Sequence, residues 1–286
     1  MIETKVHPAG SRPVTGPALV SRVRVGRIAL ALAPIVGVIL AWWAITAVVD
    51  RPRIFPPPDV IWSELLVILS GHSELGHSYG HIAATLYRLG VAFTIALVAG
   101  TVLGVLAGRM RAVFSLLENV IWICMAVPSI VWVFIFAVTF GLTDVVPIAA
   151  VTALLTPGVI INVAEGSKSI PADILEMSAS YKANARQRLL DVYLPFLVPY
   201  IASSARVAFA LGIKLIVVAE VVGIPNGVGF EIKYWYDQLV MAPMIAWGIV
   251  MITIGVIVDH GIFGVVERRV GRWKDPGLST VARRTL

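Results

Sequence analysis

The segment that decides the architecture runs from Glu165 to Pro195, EGSKSIPADILEMSASYKANARQRLLDVYLP. It is a polar island between two apolar runs, Val145–Ala164 before it and Phe196–Ala219 after it. At about 30 residues it is longer than a connector between packed helices needs to be. Pro171 suits the first turn of a helix, and Asp173 complements the positive end of that helix's dipole. Ile174, Met177, Ser178 and Tyr181 then form one stripe at helical spacing. A second short helix near Ala185–Tyr193 presents Leu189, Leu190 and Tyr193. The expected form is a helix, a turn and another helix. On periodicity alone, an amphipathic pair resting on lipid headgroups accounts for it equally well.

Outward from this segment the chain is strongly apolar: 58% hydrophobic and 14% charged over 286 residues, with mean hydropathy +0.88. A soluble domain is nearer half apolar and a quarter charged, so an ordinary cytosolic enzyme and a disordered chain are both excluded. Cys124 is the single cysteine, which excludes an internal disulfide scaffold. The net charge of +6 does not point to nucleic acid, because the basic residues fall between apolar runs rather than on a soluble face.

A bilayer core needs about 20 apolar residues as helix. Ile28–Val49 meets that without a charge, and is too long for the core of a signal peptide. With Ala83–Gly108, Leu116–Phe140, Val145–Ala164, Phe196–Ala219 and Val240–Val265 it gives six expected spans. An all-α integral membrane protein follows, with a tail at 1–27, a membrane domain at 28–265 containing the 165–195 loop, and a tail at 266–286. Lys and Arg crowd the two tails, Arg109–Arg111 and the 165–195 loop, whereas the other side has Arg51, Arg53 and Lys233. Both termini and the loop are therefore expected in the cytoplasm. On the outer side, Pro56-Pro57-Pro58 cannot be a helix interior, and from Asp59 the pattern Val60, Ile61, Leu65, Leu66, Leu69 predicts an interfacial helix ending at Ser70-Gly71.

The spacing inside the loop resembles the permease signature of ATP-binding-cassette importers: Glu-Ala-Ala, three residues, Gly, nine residues, Ile-x-Leu-Pro. Glu176 takes the Glu position, Met177 and Ser178 the two Ala positions, Lys182 the Gly position, and Leu194-Pro195 match Leu-Pro without a gap. The wider chain is similar to the nitrate, taurine and alkanesulfonate branch of that family through FPPPDVIWSELLVIL, TLYRLGVAFTIALVAGTVLGVLAG, MAVPSIVW, VVAEVVGIPNGVGF and VERRVGRW. The resemblance implies a type I importer permease fold in a bacterial inner membrane, in which the loop is a coupling helix seated on a separate ATPase. It further implies a second permease copy, making a homodimer, and a periplasmic or lipid-anchored solute-binding protein docking near Asp50–Ile82 and Gly223–Gln238. The coupling residues it implies are Glu176, Met177, Ser178, Tyr181, Lys182, Asn184, Leu194 and Pro195. Lys182 departs from the signature: a glycine turns left-handed there at a saving of about 1 kcal/mol, and Asn184 is expected to take over that turn.

No phosphate-binding Gly-x-x-x-x-Gly-Lys-Ser/Thr loop, His-Glu-x-x-His or Gly-x-Ser-x-Gly occurs in the chain. No catalytic residue, cofactor or metal is assigned to it; ATP and Mg are expected on the partner. His77 and His81, with Glu74 nearby, are ligand types, but suit the wet face of the outer helix better. Gly100, Gly104 and Gly108 at four-residue spacing invite a close helix neighbour, expected within the same subunit. Charges at membrane depth are costly and mark either a path or a structural pair. Arg88, Arg206 and Lys214, with Pro128, Ser129, Trp132 and Glu220, are the candidates for a translocation path that favours an anion such as a sulfonate, taurine or nitrate. The structural alternative pairs these cations with Glu220, Glu118 or Asp259. A stand-alone secondary transporter or channel also accommodates embedded Arg and Lys, but gives no reason for the Glu-to-Leu-Pro spacing.

Overall fold

The computed structural model describes residues 33–34, 36–49, 51–181, 184–222 and 224–266. The 1–27 tail, the start of the first expected span, Lys182, Gly223 and most of the 266–286 tail lie outside them. The chain divides into two compact units at Val60/Ile61. In the first, helix α1 (Val36–Val49) is apolar, and Trp42 donates from Nε1 to the Pro56 carbonyl at 3.0 Å. Helix α2 (Pro58–Leu69) starts at the last of the three prolines, one residue before the expected Asp59, and stops at Ser70-Gly71, as the apolar pattern predicts. A two-residue hairpin follows, β1 (His72–Ser73) against β2 (Gly76–His77).

The second unit is a helix bundle. Its long members are α3 (Ser78–Arg109), α6 (Val145–Lys168), α9 (Leu194–Val221) and α11 (Met241–Val258). Between α3 and α6 lie α4 (Arg111–Ala126) and α5 (Ser129–Phe140); the loop carries α7 (Ala172–Ser180) and α8 (Ala185–Gln187). Helix α10 (Val228–Asp237) follows α9. Among the described residues four helices are long and apolar enough to cross a membrane, and α4 with α5 makes a fifth if the bent pair is one span.

The expected third span is the main correction. Leu116–Phe140 is not one straight helix: it breaks at Val127-Pro128, and α4 and α5 meet at 98°. Pro128 has no N–H for a helical bond and forces Val127 out of the helical region, to φ −72° and ψ 126°. A second correction lies before Pro195. The second loop helix is not separate, because Arg188–Tyr193 forms a π-helical turn that runs straight into α9. The Pro195 ring crowds the carbonyl four residues back, and a wider turn relieves that contact.

The core joins α3, α6 and α9 through Leu89, Ala92, Ala96, Leu155, Val159, Val163, Leu197 and Ile216. Helices α3 and α6 run parallel and very close. A Cβ added to Gly100 would stand 2.6 Å from Val159 Cβ, one on Gly104 2.7 Å from Val163 Cβ, and one on Gly108 2.5 Å from Ser167 Cβ. The neighbour invited by the glycine series is therefore α6 of the same chain. Gly104→Val should destabilise the bundle by about 1–3 kcal/mol or more through overpacking, measurable as a lower unfolding midpoint in detergent. An unchanged midpoint would contradict the close approach.

Candidate functional site

The parallel α3–α6 pair fixes two ends of the bundle. Gly108 and Ser167 meet at the end that bears the 165–195 loop; the start of α3 and the end of α9 lie at the opposite one. At the loop end, α7 keeps Ser178 buried, with its Oγ donating to the Leu175 carbonyl at 2.7 Å. Glu176 is exposed, as are Met177 at 55% and Tyr181 at 82%. The loop is anchored beneath by Ile170, Tyr193 and Leu197, which join the main core. Leu194 is exposed at the start of α9, and Pro195 sits in its first turn.

Asn184 does not take the left-handed turn expected of it: among the described residues, Leu239 is the non-glycine residue with positive φ. Asn184 instead starts α8 with reciprocal bonds. Its Oδ1 accepts from Gln187 N–H at 2.8 Å, and its own N–H donates to Gln187 Oε1 at 2.9 Å. This capping box satisfies two backbone donors that an unmarked helix start leaves open.

At the opposite end, Arg88 and Glu220 are buried against each other, 1% and 0% exposed. Arg88 Nη1 donates to Glu220 Oε1 at 2.6 Å and to the Asn226 carbonyl at 3.0 Å. Its Nη2 donates to Asp144 Oδ1 at 2.6 Å and to Asn226 Oδ1. Glu220 also accepts from Thr85 Oγ1 at 2.8 Å and from Gly229 N–H at 3.0 Å. Gly227, at φ 109°, packs where any Cβ would stand 2.5 Å from the Glu220 carboxylate. For Arg88 and Glu220 this is the pairing of the structural alternative: the pair clamps α3, α9, the turn before α6 and the segment leading into α10. Asp144 and Asn226 were not among the candidates read from sequence. The turn signal Pro225-Asn226-Gly227 could have marked the second; nothing local marks Asp144.

His81 is a further correction. It does not sit on the wet face of the outer helix; it is 7% exposed on α3, its Nδ1 accepts from Gly227 N–H at 3.1 Å, and its Nε2 lies 3.4 Å from Glu231. His77 is exposed in β2. No group of three or more metal-ligand side chains comes together among the described residues. Near the same end, Glu64, His72, Glu74, Trp235 and Trp247 line a cavity of about 350 Å³. Burial, and then the neighbouring Glu74 carboxylate, raise the Glu64 pKa above the ordinary carboxylate range.

Within the spans, Arg206 and Asp259 form a two-armed ion pair, Nε to Oδ1 at 2.7 Å and Nη2 to Oδ2 at 2.8 Å, both partly exposed. Lys214 is exposed on α9 and has no ion-pair partner among the described residues. Glu118, exposed on α4, likewise pairs with none of the three cations. Pro128 caps α5, whose first residue is the half-buried Ser129. Trp132 stacks on Phe136 at 5.8 Å, with its Nε1 buried and without a hydrogen-bond acceptor among the described residues.

A bundle of long apolar helices, a bent pair and a helical loop at one end describe a multi-pass membrane protein. Residues 100–272 match the family of binding-protein-dependent transport system inner membrane components, and the chain belongs to that family. It is similar to the taurine transport system permease protein TauC of Escherichia coli, 23% identical over 86% of this chain and 90% of that one. It is also similar to the putative aliphatic sulfonates transport permease protein SsuC of Bacillus subtilis, 26% identical over 95% and 98%. A chain of the MetNI methionine ABC transporter, solved in inward-facing conformations, shares the fold at a TM-score of 0.58 and 18% identity, covering 65% of this chain and 93% of that one. The protein is thus a transmembrane permease component of an ATP-binding-cassette importer.

Proposed function

We propose that this chain, as a homodimer in a bacterial inner membrane, forms the path for a small anionic solute and couples it to a separate ATPase through the 165–195 loop. The observation that carries the coupling is the exposure of Met177 on α7 and of Tyr181 directly after it. Apolar side chains displayed on a helix outside the bundle suit a groove on a soluble partner. Glu176 lies among them, and Lys182, although outside the described residues, falls in the same contact by its place in the signature. Six spans with both termini cytoplasmic put the loop on the ATPase side. A solute-binding protein then docks at the opposite end, where α2, the hairpin and α10 lie. ATP hydrolysis, with its Mg, belongs to the partner.

For the solute, Lys214 is the favoured contact. A cation held at membrane depth without a carboxylate costs several kcal/mol unless it is hydrated or meets an anion. The start of α5 at Ser129, within a broken span, adds the positive end of a helix dipole. Relatives named for taurine and sulfonate transport agree with an anion. Lys214→Met should raise the KM for such a solute by about tenfold while leaving ATPase association intact; an unchanged KM removes Lys214 from the path.

Tagging this chain in its native operon and identifying what co-purifies tests the class assignment. Recovery of a P-loop ATPase at equal copy number is the expected result. Recovery of the chain alone, active in proton- or ion-driven uptake without ATP, would replace the importer reading with a secondary transporter.

A further inference from the structure

Where α3 gives way to α4, at the loop end of the bundle, the chain builds a cavity of about 460 Å³ walled by Gly108, Arg109, Arg111, Phe114 and Lys168. Three cations line it and no carboxylate does. None of the three has an ion-pair partner among the described residues. Two of them have an ordinary reason to be basic: Arg109 and Lys168 occupy the last turns of α3 and α6, where a cation offsets the negative end of the helix dipole. Arg111 has the opposite setting. It is the first residue of α4, at the positive end, with no acidic residue in that turn and no side-chain cap at Met110.

The surroundings hold these groups in place. The Arg109 guanidinium lies 4.7 Å from the centre of the Tyr193 ring, and Lys168 Nζ lies 3.9 Å from that of Phe114. Behind them Ser167, 6% exposed, packs against Gly108 at the α3–α6 contact and does not line the cavity. A bias of positive charge toward the cytoplasm explains basic residues on this side of a membrane. It does not explain three cations gathered around one cavity without a carboxylate, one of them at an uncapped helix start.

We propose that this cavity binds a phosphate group, supplied either by an anionic phospholipid at the membrane surface or by a free phosphate anion. Phosphate oxygens accept from guanidinium and ammonium donors, and helix starts favour them; basic pockets between membrane helices are known to take anionic headgroups. The proposal stands apart from the choice of transported solute and from the ATPase.

Two arms test it. In the first, the full-length chain is extracted from vesicles of equal parts phosphatidylglycerol and phosphatidylcholine, and its retained lipid is weighed by native mass spectrometry. In the second, the delipidated chain is melted with and without inorganic phosphate, chloride matching the ionic strength. Phosphatidylglycerol retained over phosphatidylcholine by about tenfold, and lost in Arg109→Gln/Arg111→Gln/Lys168→Gln, supports the lipid source. A phosphate-specific rise in melting temperature, lost in the same variant, supports the free anion. Arg111→Glu, a single exposed change, gives the same discrimination if the triple variant does not fold. Equal retention of both lipids with no phosphate effect overturns the proposal, as does a selectivity that survives both variants.

Discussion

Arg88→Met destabilises the bundle by about 3–5 kcal/mol, because it leaves Glu220 buried and charged with its main partner gone. Glu220 is 0% exposed, and after the change only Thr85 and the Gly229 N–H still donate to it. Three more acceptors lose their donor at once, the Asn226 carbonyl, the Asn226 side-chain Oδ1 and the Asp144 carboxylate. Unfolding in mixed micelles of increasing denaturing detergent reads the effect. The double variant Arg88→Met/Glu220→Met recovers much of the loss, since an apolar pair leaves no uncompensated charge. A single variant as stable as the parent chain would mean that water reaches Glu220 and that the clamp is not closed.

Glu176→Lys abolishes ATP-driven uptake while leaving the amount of folded chain in the membrane unchanged. Glu176 is exposed and makes no ion pair within the chain among the described residues, so reversing its charge removes nothing the fold depends on. At a docking surface the same reversal puts like charge against whatever the carboxylate meets, at a cost of about 2–5 kcal/mol, or 30-fold and more in association, about tenfold per 1.4 kcal/mol. Uptake and ATPase co-purification are measured together. Full uptake in this variant would remove the loop from the coupling role.

Much of the architecture was legible because it follows from local patterns. Apolar runs marked α3, α6, α9 and α11, the prolines and Asp59 marked the start of α2, and a four-residue glycine step marked the face of α3 that a close neighbour packs on, though not which helix. What escaped depends on partners distant in sequence or on the direction of a break. Pro128 announces a disturbance, but not a 98° one. Arg88 meets Asp144 and Glu220 across 56 and 132 residues, and Asp144 lies in a short turn with no motif of its own. His81 sits at helical spacing that suits a wet face and a buried one alike, and only α10 folding back over it decides between them. The loop was half legible: its spacing identified α7, but the join of the second helix to α9 depends on how the turn before Pro195 widens. The α3–α4 cavity was not foreseen, because Arg109, Arg111 and Lys168 read as a topology signal until the fold placed them around one space.

The interlocked contact of α3 with α6 limits how this protein can move. Three successive turns are keyed together at Gly100, Gly104 and Gly108, each with a neighbour too close for even a methyl group. Sliding one rod along the other would have to disengage all three keys at once, so the two are expected to move together as a single stiff unit. Any opening and closing of the bundle is then concentrated at the joints, Met110, Val127-Pro128 and the widened turn before Pro195, where the backbone already departs from the α-helix.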